Sequence, residues 1–128
     1  NTYQNTKTLN IPHDFNEELI NLPLGTEKII FVEIKYNYYS KFNQPVDNLP
    51  NSITHLTFGR YFNQSIDNLP ESITHLIFGN LSYFNQPIKK LPKNITWLSF
   101  GDDFNQNINK AVFPNSLQTI TFIKYIDN

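Results

Sequence analysis

The 128-residue chain has no cysteine and no methionine, and only one alanine, one arginine and one tryptophan. Without cysteine there are no disulfides, no thiolate nucleophile and no Cys-ligated zinc. Small secreted domains usually depend on such staples, so the composition leans towards a cytoplasmic or virion setting over a secreted one. One alanine beside 19 asparagines and eight prolines leaves little material for long helices. An excess of either charge is also missing: 10 basic side chains face 11 acidic ones. The basic footprint of a nucleic-acid binder is therefore absent. The longest apolar run is four residues, Ile29 to Val32, whereas a membrane-spanning helix needs about 20. Neither nucleic acid nor membrane is expected as a partner. The opening Asn-Thr-Tyr-Gln-Asn is polar and unlike a signal peptide. It lacks an initiator Met, so the chain reads as processed or excerpted from something longer.

What is present is aromatic mass and repetition. Eleven Phe and seven Tyr are enough to fill a core, so this is not a disordered Asn-rich tract. The tripeptide Phe-Asn-Gln occurs at residues 42, 62, 84 and 104, and a weaker copy starts at Phe15-Asn16. From Phe42 the unit reads FNQPVDNLPNSITHLTFGRY, from Phe62 FNQSIDNLPESITHLIFGNLSY, from Phe84 FNQPIKKLPKNITWLSFGDD. The copy from Phe104 has two extra residues before Phe113-Pro114, and the first copy has about seven extra within Val32 to Lys41. The whole chain is thus read as one repeat domain. A partial repeat covers 1–14, and full ones cover 15–41, 42–61, 62–83, 84–103 and 104–128.

Within a unit, Leu56 and Phe58 alternate with His55 and Thr57, the period of a strand with one buried face. Pro50 and its equivalents precede the strand, where an extended approach suits a residue without an N–H. Gly59, Gly79 and Gly101 follow it, and are expected to serve sharp turns. A unit this short cannot bury its own apolar face, but stacked units can. The expected fold is mainly β: a right-handed solenoid with one short parallel strand per 20–22-residue repeat and few or no helices.

The spacing Ile-x-x-Leu-x-Phe resembles the strand signature of leucine-rich repeats. The fuller pattern, Phe-Asn-Gln-Pro-Ile, then Leu-Pro, then Ile-Thr-x-Leu-x-Phe-Gly, resembles the FNIP repeat of social amoebae and large DNA viruses. That resemblance implies a leucine-rich-repeat-like solenoid used for protein recognition. FNIP repeats often follow an F-box-type adaptor segment. None is present in these residues, so a ubiquitin-ligase role would require sequence outside them.

In a stack, like residues lie over like, and columns can be read directly. Phe31, Phe58, Phe78, Phe100 and Phe122 form one inward column. Phe15, Phe42, Phe62, Phe84 and Phe104 form a second, and both are expected to be buried. Asn16, Asn43, Asn63, Asn85 and Asn105 form a polar column whose amides can tie each turn to its neighbour. The outward strand positions carry Lys28, His55, His75 and Trp97 in one column, and Ile30, Thr57, Ile77 and Ser99 in the next. In leucine-rich repeats this face is concave and is the usual binding surface. Here it fits a partner-binding site, or else a solvated ladder of tolerated side chains. Tyr36, Tyr38 and Tyr39 form a candidate loop patch that Tyr61 and Tyr83 could extend, or they cover an irregular edge of the stack.

No Gly-rich phosphate loop and no nucleophile–His–acid order occurs. A metal pair at His55 and His75 would lack a third ligand. Lys93 is placed to offset Glu71 of the preceding copy. The reading is a non-enzymatic protein-binding module without cofactor or metal, its partner another protein. The alternative is a structural component of a large virus particle or surface assembly, packed through its solenoid ends against neighbouring copies or further repeats.

Overall fold

The computed structural model describes residues 7–34 and 37–124. Six strands of four residues each run in chain order: β1 (Thr8–Ile11), β2 (Lys28–Phe31), β3 (His55–Phe58), β4 (His75–Phe78), β5 (Trp97–Phe100) and β6 (Thr119–Phe122). They form one sheet in the order β1-β2-β3-β4-β5-β6, every neighbouring pair parallel. The register follows the repeat. Thr8 pairs with Lys28, Lys28 with His55, His55 with His75, His75 with Trp97, and Trp97 with Thr119. The fold is a β-solenoid of about five turns. Its helical content among the described residues is one 3₁₀ turn, Lys110–Val112. That turn takes up the two-residue insertion of the last copy, and Asn109 caps it by accepting from the Ala111 N–H.

Two Phe columns fill the interior. Where one repeat hands over to the next, the last Phe of one and the first Phe of the other touch face to face, 3.7 Å apart for Phe58–Phe62 and 3.9 Å for Phe100–Phe104. Between repeats the strand-side column steps by 5.5 Å (Phe58–Phe78) and 5.7 Å (Phe78–Phe100). The turn-side column steps by 6.1 Å both from Phe42 to Phe62 and from Phe62 to Phe84. The units therefore fan apart away from the sheet. A stack that fans in this direction curves towards its strands, which puts the sheet on the inner side of the curve.

Two expectations about the Phe columns need correction. Phe122 is 56 % exposed, because no described repeat stacks on β6. Phe15, at the other end of its column, is only partly buried. The glycines after the strands are also explained differently. None of Gly59, Gly79 and Gly101 has a positive φ; Gly25 does, at 81°. What matters at Gly101 is close approach. A Cβ there would collide with the Gly79 carbonyl oxygen and lie 2.8 Å from the Ser82 Cβ.

Polar groups of the turns are satisfied from repeat to repeat. Four of the five Asn Oδ1 atoms accept the backbone N–H of the next repeat's Asn: Asn43 donates to Asn16 at 2.8 Å, and Asn63 to Asn43, Asn85 to Asn63 and Asn105 to Asn85 at 2.9 Å. The following Gln donates its Nε2 to the same oxygen and to the Asn carbonyl, as Gln64 does to Asn43 at 3.1 and 3.3 Å. One amide thus holds two donors of its neighbour, and the Gln closes the clamp. A second set runs beside the strands, where Ser52, Ser72 and Ser116 donate to carbonyls of the preceding repeat at 2.6–2.7 Å. Glu71 is paired with Lys90, at 3.7 Å, not with Lys93.

Candidate interaction surface

Strand alternation turns every second side chain away from the Phe core, and the parallel register aligns those side chains into columns. Lys28 and Trp97 are exposed, while His55 and His75 are half-buried. The two imidazoles stack with centroids 4.3 Å apart and planes 10° from parallel. The Trp97 ring continues the pile at 6.3 Å and 15°. Each imidazole is oriented by the Thr before it. Thr54 Oγ1 lies 2.8 Å from His55 Nδ1, and Thr74 Oγ1 lies 2.9 Å from His75 Nδ1. Those hydroxyls also reach the preceding repeat's carbonyls, Thr54 to Glu27 and Thr74 to Thr54. The ring positions are therefore fixed by the same lattice that holds the stack. Partial burial, then the neighbouring His75 and Lys28, push the His55 pKa below its ordinary value, against a smaller opposing pull from Glu27.

In the second column Ile30 is exposed, and Thr57 and Ile77 are half-buried. Ser99 departs from expectation. It is only 5 % exposed, and its hydroxyl accepts from Thr121 Oγ1 at 2.7 Å. A short side chain flanked in register by Ile77 and Thr121, and bonded to the latter, Ser99 offers a partner little accessible surface.

The tyrosine-rich loop does not gather into one patch. Tyr36 lies outside the described residues. Tyr38 pairs through its backbone with Ile34 and sets its ring edge-on to His13, 5.2 Å away. Tyr39 takes the other side and lies under the guanidinium of Arg60, 4.4 Å from its ring centre. Tyr83 covers the same guanidinium at 5.0 Å, and Tyr61 meets Tyr83 edge-on at 5.2 Å. Glu33 accepts from the backbone N–H of Ser40 at 3.0 Å and of Arg60 at 2.7 Å. The sequence reading passed over Arg60 and Glu33. A clue existed: Arg60 replaces the serine that stands two residues before the Phe at Ser40 and Ser82, and it is the chain's only arginine.

Among the described residues no group of three or more His, Asp or Glu is placed to hold a metal ion. Nor is any helix there long and apolar enough to cross a membrane.

Parallel four-residue strands, one per repeat, with an outward column beside each buried one, define a leucine-rich-repeat-like solenoid. The comparison with solved structures agrees. CroV588, from a giant virus and described as a novel circular LRR protein, is similar to this chain at 40 % identity with a TM-score of 0.74. The match covers 88 % of this chain but 16 % of that one, so the present chain spans only a small part of its length. The FNIP Repeat model matches residues 42–81 and 84–125, and the chain belongs to that family. No curated protein matches the sequence.

Proposed function

We propose that the chain is a non-enzymatic module that binds a partner protein through the solvent-facing columns of its sheet. The observation that carries this reading is the stacked row His55–His75–Trp97. Three planar side chains lie nearly parallel on consecutive strands, with Trp97 40 % exposed and Ile30 37 % exposed beside the row. Pre-ordered rings lose little conformational freedom on binding, and aromatic anchors dominate interface energetics. The fanning of the Phe columns supports the same face, because a surface on the inside of a curve can wrap a partner. Lys28 and Thr57 would sit at its edges. A pull-down comparing the wild type with Trp97→Ala and His75→Ala tests it. The expected result is loss of the partner in both variants, and retention by both overturns the reading.

A second reading, assembly through the solenoid ends, has its own support. Around Phe122 the C-terminal end opens a shallow cavity in which Ile108, Phe113 and Ile120 are joined by the polar Gln106, Asn107 and Lys110. Among the described residues Asn105 Oδ1 accepts no hydrogen bond, whereas the equivalent atoms of Asn16, Asn43, Asn63 and Asn85 each accept two. A Phe-Asn-Gln unit from a neighbour would complete that end, and head-to-tail contacts of this kind build rings or filaments. The similar CroV588 is described as circular. A structural role in a virus particle or surface assembly would follow. Light scattering over a concentration series should then show growth of the particle mass, and a constant mass counts against it.

A further inference from the structure

Beyond the strand ends, away from the sheet columns, Arg60 is held in an unusual state. Its guanidinium lies over two rings, 4.4 Å from the centre of Tyr39 and 5.0 Å from that of Tyr83. Its Nε is buried and has no hydrogen-bond partner among the described residues. No carboxylate among them lies within ion-pair distance of it either. The acid held in this cluster, Glu33, spends Oε2 on two backbone N–H groups. Two aromatic faces stabilise a cation partly, but they do not replace its hydrogen bonds. They hold the guanidinium carbon in place and leave its terminal nitrogens as open donors among the described residues. Exposed Lys41 stands one repeat before exposed Tyr61 in the adjoining column and adds positive charge.

We propose that Arg60 is a second recognition site, which takes the carboxylate of an Asp or Glu side chain from an acidic segment of a partner protein, with Tyr61 and Tyr83 bordering it. A planar, singly charged carboxylate matches one guanidinium in a two-point contact. A phosphate dianion would draw on a denser cluster of cations than one guanidinium and one flexible lysine. The site is separate from the sheet columns, so it stands or falls independently of the reading above.

The test uses the full chain, nitrogen-15 labelled, titrated at low salt with a short poly-glutamate peptide and, as neutral control, the matching poly-glutamine peptide. The Arg60 Nε–H resonance reports on the site, and the Trp97 indole N–H reports on the sheet face. Poly-glutamate should shift the Arg60 signal saturably and leave Trp97 unmoved. Arg60→Gln should weaken binding by about tenfold or more, as loss of a charge-assisted pair does. Arg60→Lys, which keeps the charge and loses the fork, should weaken it measurably, with far-UV circular dichroism unchanged. Equal binding by Arg60→Lys and wild type, an equal shift with poly-glutamine, or displacement of the peptide by equimolar inorganic phosphate would each overturn the assignment.

Discussion

The side-chain oxygen of Asn63 accepts the backbone N–H of Asn85 at 2.9 Å and the Nε2 of Gln86 at 3.1 Å. One amide thus secures two donors of the next turn, while the Asn63 N–H is itself secured by Asn43. Asn63→Leu keeps the volume and strands both donors. It should cost more than about 1 kcal/mol, the usual penalty for leaving buried or half-buried donors unpaired. Asn63→Asp retains an acceptor oxygen and should cost less. Urea denaturation of both variants checks the order, and a loss in Asn63→Leu no greater than in Asn63→Asp would show the column to be decorative.

The middle and the open end of the Phe stack predict a graded response. Phe62 is fully buried, in contact with Phe58 and flanked by Phe42 and Phe84. Truncation to alanine should cost about 3–5 kcal/mol, as aromatic core deletions do. Phe122 packs on one side only and is 56 % exposed, so its truncation should cost well under half of that. Chemical denaturation of the pair measures the difference. Equal losses would mean that the exposed end is covered by something in solution.

Repetition explains why so much was readable. A residue that recurs every 20 to 22 positions declares both its strand phase and its neighbours. The pairing His55–His75–Trp97 therefore followed from spacing alone, and the structure has that register. Features that do not repeat were harder to see. Arg60 occurs once, and its partner Tyr39 comes from the irregular loop before Lys41, so no column connects them. Ser99 looked exposed because its phase was right, but burial also depends on the neighbours, and its short side chain stands between the larger Ile77 and Thr121 in register, with the Thr121 hydroxyl bonded to it. The Gln of Phe-Asn-Gln repeats as faithfully as the Asn. Its bond became visible only when one repeat was laid beside the next.

The three glycines after the strands separate space from conformation. Since none needs a positive φ, substitution by alanine tests packing alone. At Gly101 the added Cβ would meet the Gly79 carbonyl, a backbone atom that cannot swing away. Gly101→Ala should destabilise by about 1–3 kcal/mol, the range for overpacked sites. At Gly79 the nearest contact would be Glu33 Oε1 at 3.6 Å, an ordinary separation, so Gly79→Ala should be within about 0.5 kcal/mol of neutral. Paired thermal melts distinguish the two. Matching melting temperatures would mean that the backbone yields at Gly101.

The stacked imidazoles give the solenoid a pH dependence whose sign can be worked out. Burial, His75 and Lys28 depress the His55 pKa in the folded chain, and Glu27 opposes them. Above the ordinary histidine value of about 6.5 the ring is neutral in both states and contributes nothing. As the pH falls through that value, the unfolded chain takes up a proton that the folded chain resists. The unfolded state then binds more protons, so stability declines, and the decline ends once the pH is below the folded value as well. Denaturation midpoints should therefore drop as the pH falls below about 6.5, and His55→Gln should flatten that part of the profile. Every other titratable group remains in both proteins, so the difference between the two profiles isolates His55. Parallel profiles would show that His55 accepts its proton as readily folded as unfolded.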